Sequence, residues 1–172
     1  MHRAPDDLRR FASDVHSLGE ALRARHAWLA TAESCTGGLI AAACTSVAGS
    51  SEWFDRGFVT YSNAAKIETL GVDAALIERH GAVSQPVARA MAHGALARSH
   101  ATIALAVTGV AGPGGATPGK PVGTVWLAWA LQGDGGDERL QLPGDRADVR
   151  AATVEAALRR ALELARHLAP MA

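Results

Sequence analysis

Apolar residues recur along the chain at two spacings, and the switches between them set the expected elements. Leu8, Phe11, Val15, Leu18 and Leu22 fall three or four apart, which predicts a helix over about residues 5–25 with one apolar stripe. Pro5 suits a first helical position, and Asp6 and Asp7 complement the helix dipole. Residues 28–32 read as a short buried strand that stops at Glu33-Ser34-Cys35-Thr36-Gly37-Gly38, and a helix of small residues follows over about 38–46. Residues 54–61 predict a second strand. Ser62 or Asn63 then caps a helix carrying Lys66, Ile67 and Leu70; Gly71 ends it, and Asp73 caps a further short helix up to His80. A helix over 84–99 turns Val87, Ala90, Met91, Gly94 and Ala95 inward, and 102–108 is a buried strand. A loop rich in glycine and proline runs over 109–121 and leads into a strand over 122–131. Residues 133–136 read as a turn, and 139–142 as the hairpin partner. Asp145 caps a long final helix with Leu158, Leu162, Ala165 and Leu168 on one face.

Helices and strands alternate without a linker, which predicts a single three-layer α/β domain over residues 1–172. The late strand-turn-strand makes its sheet mixed. At 172 residues and 48% hydrophobic, the chain can bury one sizeable core. Seventeen basic side chains balance seventeen acidic ones. That balance argues against non-specific nucleic-acid binding and against a membrane-surface role, though not against a small anionic ligand. Two cysteines, Cys35 and Cys44, with no C-x-x-C pair, do not make a disulfide scaffold or a zinc ribbon. No apolar leader and no run approaching the ~20 residues of a membrane span is seen, so a cytoplasmic location is expected. The small-residue faces (Ala41, Ala42, Ala43; Ala90, Gly94) permit close packing between copies, and a homodimer is expected.

Three stretches carry candidate chemistry. Ser34 sits at a strand-to-helix turn, where side chains reach open space at the carboxyl end of a strand. The amides of Cys35, Thr36, Gly37 and Gly38 can stabilise an anion at a helix N-terminus, either a phosphate or an acyl-transfer oxyanion. Taken alone, a capping serine with turn glycines is the commoner use of such a stretch, and Cys35 is a competing nucleophile. In Tyr61-Ser62-Asn63-Ala64-Ala65-Lys66, tyrosine and lysine are five apart and cannot share a helical face, so Tyr61 must end the strand and Lys66 begin the helix. A lysine acting there must be neutral, with a pKa well below the usual ~10.4. The 109–121 loop holds a near miss for a nucleotide-binding P-loop, Gly114 followed by Gly119-Lys120, but Pro121 replaces the magnesium-binding hydroxyl and a strand pattern follows. Such a loop can still cradle a phosphate through its amides and Lys120. Arg146 and Arg150, four apart, offer a second phosphate clamp. His93 and His100 are seven apart and no metal-ligand spacing occurs, so no metal and no cofactor are expected.

Taken together these segments resemble the CinA C-terminal domain family, whose members include nicotinamide-nucleotide amidases. The matching stretches are Ala32-Glu33-Ser34-Cys35-Thr36-Gly37-Gly38, Tyr61-Ser62-Asn63-Ala64-Ala65-Lys66, Gly81-Ala82-Val83-Ser84, Thr108-Gly109-Val110-Ala111-Gly112-Pro113 and Lys120-Pro121-Val122-Gly123-Thr124-Val125. They cover roughly residues 8–168 in the family's order, with Gln85 where a glutamate is expected. The resemblance implies an α/β/α sandwich around a mixed, mostly parallel sheet of about five strands. It also implies a stand-alone enzyme that converts nicotinamide mononucleotide to nicotinate mononucleotide and ammonia. Ser34 would be the nucleophile and neutral Lys66 the base, acting directly or through Tyr61. Amides after Ser34 would hold the oxyanion. The phosphate would lie on the loop from Gly112 through Gly114 to Lys120, with Thr108 and Gly109 at its start, or on Arg146 and Arg150. The alternative is a non-catalytic nucleotide-sensing module of the competence or damage-inducible type, acting through a protein partner.

Overall fold

A computed structural model describes residues 7–169. Pro5 and Asp6, expected to open the first helix, lie outside the described residues. Asp7 caps a 3-10 turn over Leu8–Phe11 by accepting from the Arg9 amide at 3.1 Å, so the α-helix proper, α1, spans Ala12–Arg23. Then follow β1 (Leu29–Glu33), α2 (Leu39–Thr45), a 3-10 turn (Ser50–Glu52), β2 (Phe54–Val59), α3 (Asn63–Leu70), α4 (Ala74–His80) and α5 (Gln85–Ala97). The chain continues through β3 (Ile103–Gly109), β4 (Thr124–Leu131), β5 (Asp134–Gln141) and α6 (Arg146–His167).

The five strands form one sheet in the order β2-β1-β3-β4-β5. β1 is parallel to both β2 and β3, whereas β3–β4 and β4–β5 are antiparallel, so β4 alone is reversed. Alternation along each strand separates two kinds of apolar side chain. Ile103, Leu105 and Val107 of β3 and Val125 and Leu127 of β4 share a core with Val15 and Leu18 of α1 and Val154 and Leu158 of α6. Ala104, Ala106, Ala128 and Ala130 point the other way and pack against Val87, Ala88, Met91 and Ala92 of α5. An alanine-lined sheet face admits α5 at close range, and α5 in turn crowds α3. A Cβ on Gly94 would lie 2.2 Å from the Leu70 carbonyl oxygen. Gly94 is therefore small because of packing inside the domain, and Ala43 is fully buried as well. Neither supports contact between copies.

One element differs from expectation. Residues 135 and 136, read as part of a turn, belong to β5, which begins at Asp134 and leaves Gln132-Gly133 to make the reversal. Gly136 pairs across from Trp129, and a Cβ there would meet the indole ring at 2.5 Å. The glycine serves that ring, which also carries the Arg160 guanidinium 4.4 Å from its centroid.

Candidate active site

β1 lies between β2 and β3, and its carboxyl end opens where ligands bind in α/β sheets. The Ser34 amide donates to the Val107 carbonyl at 3.0 Å, which holds the residue at the strand end. Ser34 does not cap α2. That task falls to the fully buried Glu33 carboxylate, which accepts from Thr36 Oγ1 at 2.6 Å, the Ile40 amide at 2.8 Å and the Ala41 amide at 2.9 Å. Gly37 and Gly38 take positive φ, 60° and 98°, to bring those amides round to the carboxylate. With the cap supplied by its neighbour, the Ser34 hydroxyl is available for other work.

Its partner is Lys66. β2 ends at Val59, and the Thr60 amide makes one more bond, to the Glu33 carbonyl at 2.9 Å. Ser62 then caps α3 by accepting from the Ala65 amide at 3.0 Å, so Ser62 rather than Asn63 fills that role. Lys66, one turn into α3, donates through Nζ to Ser34 Oγ at 3.0 Å and to the Thr60 carbonyl at 2.9 Å. The residue is only 1% exposed. Burial lowers its pKa from the ordinary lysine range, because an ammonium withdrawn from water loses hydration that two neutral acceptors do not replace. A neutral amine fits the same geometry well: it can donate to Thr60 while its lone pair faces the Ser34 hydroxyl. Cys35, beside the serine, is in the opposite condition for a nucleophile. Burial pushes its thiol up to about 12, so the reactive thiolate is suppressed at neutral pH.

Tyr61 is 59% exposed, and its hydroxyl accepts from Arg146 Nη2 at 2.8 Å. Arg146 Nη1 donates to the Gly112 carbonyl at 3.0 Å. One guanidinium thus ties the segment after β2 to the loop after β3 across the site. A cavity of about 240 Å³ holds Ser34, Tyr61, Asn63, Lys66, Thr108, Gly109 and Arg146 along its wall. A larger cavity of about 590 Å³ adjoins it, since Ala111 and Arg146 line both. Arg150 lines the larger one and donates to the Thr36 carbonyl at 3.2 Å. The first amides of α6 are taken by Asp145, in a capping box with Asp148, so the guanidinium groups are the cationic feature of this wall.

The two proposed phosphate cradles are therefore placed differently. Thr108 and Gly109 line the smaller cavity, with the Thr108 hydroxyl bonded to the Ala82 carbonyl at 2.9 Å. The loop's far end folds on itself through a Thr117–Lys120 bridge. There Lys120 Nζ donates to the His80 carbonyl at 2.9 Å, and the Gly119 carbonyl accepts from Arg139 at 2.7 Å. Gly114 and Lys120 line neither cavity. Gln85 lies apart from the site as well, donating to Asp137 of β5 at 2.9 Å, beside an ion pair from Arg89 to the same carboxylate. A glutamate at that position would set two carboxylates against each other. A further cavity, about 700 Å³ between Arg89, His93 and the Gln132-Gly133 reversal, holds neither Ser34 nor Lys66.

Neither the Thr60 carbonyl nor Asn63 is among the site residues expected from the sequence. The first has no sequence signal, since a backbone acceptor looks alike everywhere. For the second there was one: Asn63 lies three residues before Lys66 and shares its helical face. Among the described residues no cluster of three or more histidine, cysteine, aspartate or glutamate side chains is placed to hold a metal ion, and no helix is long and apolar enough to cross a membrane.

A family model described as the CinA C-terminal domain matches residues 12–165. The chain is 58% identical over 150 residues to a Pseudomonas putida protein named nicotinamide-nucleotide amidohydrolase PncC, covering 86% of this chain and 92% of that one. It is 52% identical over 134 residues to the Escherichia coli K12 protein of the same name, covering 77% and 81%. Among solved structures, the competence damage-inducible protein A from Klebsiella pneumoniae superposes with a TM-score of 0.88 at 40% identity, covering 92% of this chain and 98% of that one.

Proposed function

The chain belongs to the CinA C-terminal domain family, and from that premise we propose that it hydrolyses the carboxamide of nicotinamide mononucleotide through a Ser34 acyl-enzyme. Proteins named nicotinamide-nucleotide amidohydrolase are 51–58% identical to it over most of its length, which supports the substrate. The observation that carries the mechanism is the 3.0 Å contact between Ser34 Oγ and the buried Nζ of Lys66.

Neutral Lys66 takes the Ser34 proton as Oγ attacks the carboxamide carbon. The negative charge on the carboxamide oxygen falls to the amides after Ser34 that no carbonyl or carboxylate takes, those of Cys35, Thr36 and Gly38, since the Gly37 amide bonds the Ser34 carbonyl at 3.0 Å and Glu33 holds those of Ile40 and Ala41. Lys66, now protonated, passes its proton to the leaving nitrogen, and ammonia departs. Water then attacks the acyl ester with Lys66 again as base. The tetrahedral adduct breaks to the carboxylate product, and Ser34 recovers its proton. Tyr61 need not relay anything, because serine and lysine already touch; its hydroxyl orients Arg146 instead. The pyridine ring occupies the smaller cavity. The phosphate takes the larger one, on Arg146 and Arg150 rather than on Lys120.

Ammonia release from nicotinamide mononucleotide, followed in wild type and in Ser34→Ala, is the direct test. Release by wild type and its loss in the variant is the expected outcome. Tight nucleotide binding without ammonia would favour the sensing module, and full activity in Ser34→Ala would remove the acyl-enzyme.

A further inference from the structure

Resting on the amidase reading above, we propose that Asn63 is a specificity-determining residue that hydrogen-bonds a sugar hydroxyl of the nucleotide. The polar side chains lining the smaller cavity are Ser34, Tyr61, Asn63, Lys66, Thr108 and Arg146. Ser34 is held by Lys66, Lys66 also by the Thr60 carbonyl, Tyr61 by Arg146, Arg146 also by the Gly112 carbonyl, and Thr108 by the Ala82 carbonyl. Asn63 alone of this set has a side chain with no hydrogen bond among the described residues. The fold makes no use of it either, because Ser62 supplies the cap of α3. An amide with one acceptor oxygen and two donor hydrogens therefore stands at the cavity uncommitted.

Its position selects what it meets. Asn63 and Lys66 are three apart on one helical face, with Cβ atoms about 5–6 Å from each other. Lys66 is buried at the cavity floor and Asn63 is exposed, so Asn63 stands one turn nearer the opening. The reacting carboxamide is fully served at the floor: its carbon by Ser34, its oxygen by the amides after Ser34, its leaving nitrogen by Lys66. What reaches Asn63 is the part of the substrate beyond the pyridine ring. In a pyridine mononucleotide whose phosphate lies on Arg146 and Arg150, that part is the ribosyl group. Its hydroxyls both donate and accept, as the asparagine amide does.

The test compares nicotinamide mononucleotide with its 2′-deoxy and 3′-deoxy sugar analogues, in wild type and in Asn63→Ala. Wild type should lose about ten-fold in kcat/KM on one deoxy analogue, the size of one neutral hydrogen bond. Asn63→Ala should lose the same factor on the parent nucleotide and nothing further on that analogue, with an unchanged melting temperature. Equal losses on all three substrates would make Asn63 structural or a carboxamide contact, and no loss on any would make it a spectator; either result overturns the proposal. Binding of the three nucleotides to Ser34→Ala, with and without Asn63→Ala, separates this from the amidase reading. If wild type releases no ammonia, that reading fails. The sugar contact then stands if the binding ratios still collapse with Asn63→Ala, and falls if they do not.

Discussion

Lys66 and Lys120 are the lysines of this chain, and each lies in a stretch that suggests catalysis or phosphate binding. Lys66 is 1% exposed, on a serine hydroxyl and a backbone carbonyl, with its pKa lowered by burial. Lys120 is partly exposed and rests on the carbonyl of His80, near the last turn of α4. A cation favours a helix C-terminus, and half in water it keeps its hydration. The second arrangement stabilises the fold modestly. The first costs about 1.4 kcal/mol for each unit by which the pKa falls, and among the described residues no carboxylate pairs with Lys66 to offset it. A fold that tolerates such a cost at a cavity floor beside a serine points to chemistry there.

The contrast is sharpest in activity. Lys66→Arg, which keeps the charge but cannot supply a neutral base, should lower kcat by ~10³-fold or more, as should Ser34→Ala. Lys120→Arg should stay within about two-fold. Steady-state ammonia release in the three variants checks this, and a comparable loss in Lys120→Arg would return the glycine-rich loop to the site.

The next effect is on affinity. Arg150→Ala should raise KM by about 10- to 100-fold with little change in kcat, the range expected for one charge-assisted hydrogen bond to phosphate. Arg146→Ala should affect both constants, because it also frees Tyr61 and the Gly112 loop. An unchanged KM in both would place the phosphate elsewhere.

Stability should move the other way. Lys66→Met removes a buried amine and should raise stability by about 1–2 kcal/mol near neutral pH while abolishing turnover. Its pH dependence carries a sign. Between the lowered pKa of folded Lys66 and the ~10.4 of a free lysine, the unfolded chain holds one more proton. Wild-type stability should therefore rise with pH across that window, and Lys66→Met should lose that slope. The same proton governs rate: kcat/KM should climb from the acid side as folded Lys66 becomes neutral. Denaturant melts and a pH–rate profile measure the two, and a flat acid limb would mean that Lys66 is not the base. Lys120→Met should shift stability by no more than about 0.5 kcal/mol. Smallest of all is the effect of a chelator, since no metal-ligand spacing occurs: dialysis should leave the rate unchanged.

Features written in adjacent residues were legible in the sequence. The caps at Asp73 and Asp145 and the glycine stop at Gly71 follow from local chemistry, and each is found where expected. So is the mixed sheet, because helices and strands that alternate without a linker, with a late strand-turn-strand, admit few arrangements. Features set by a distant neighbour were not. Gly135 and Gly136 look like a turn until Ala130 and Trp129 are placed across from them. Ser34 looks like a cap until the Glu33 carboxylate reaches the Ile40 and Ala41 amides, seven and eight residues on. The near P-loop pattern drew attention to Lys120, whose amine turns out to serve the end of α4. Burial separated the two lysines, and burial is a property of the packed chain rather than of a motif.

The central claim is that Ser34, activated by Lys66, carries the acyl group. Mixing enzyme with nicotinamide mononucleotide, quenching in acid during turnover and mapping the adduct by peptide mass spectrometry tests it most directly. A nicotinate mononucleotide ester on Ser34, present in wild type and absent in Ser34→Ala and Lys66→Arg, is the expected result. An adduct on Cys35, or steady ammonia release with no covalent species on any residue under conditions that trap acyl-enzymes, would contradict it.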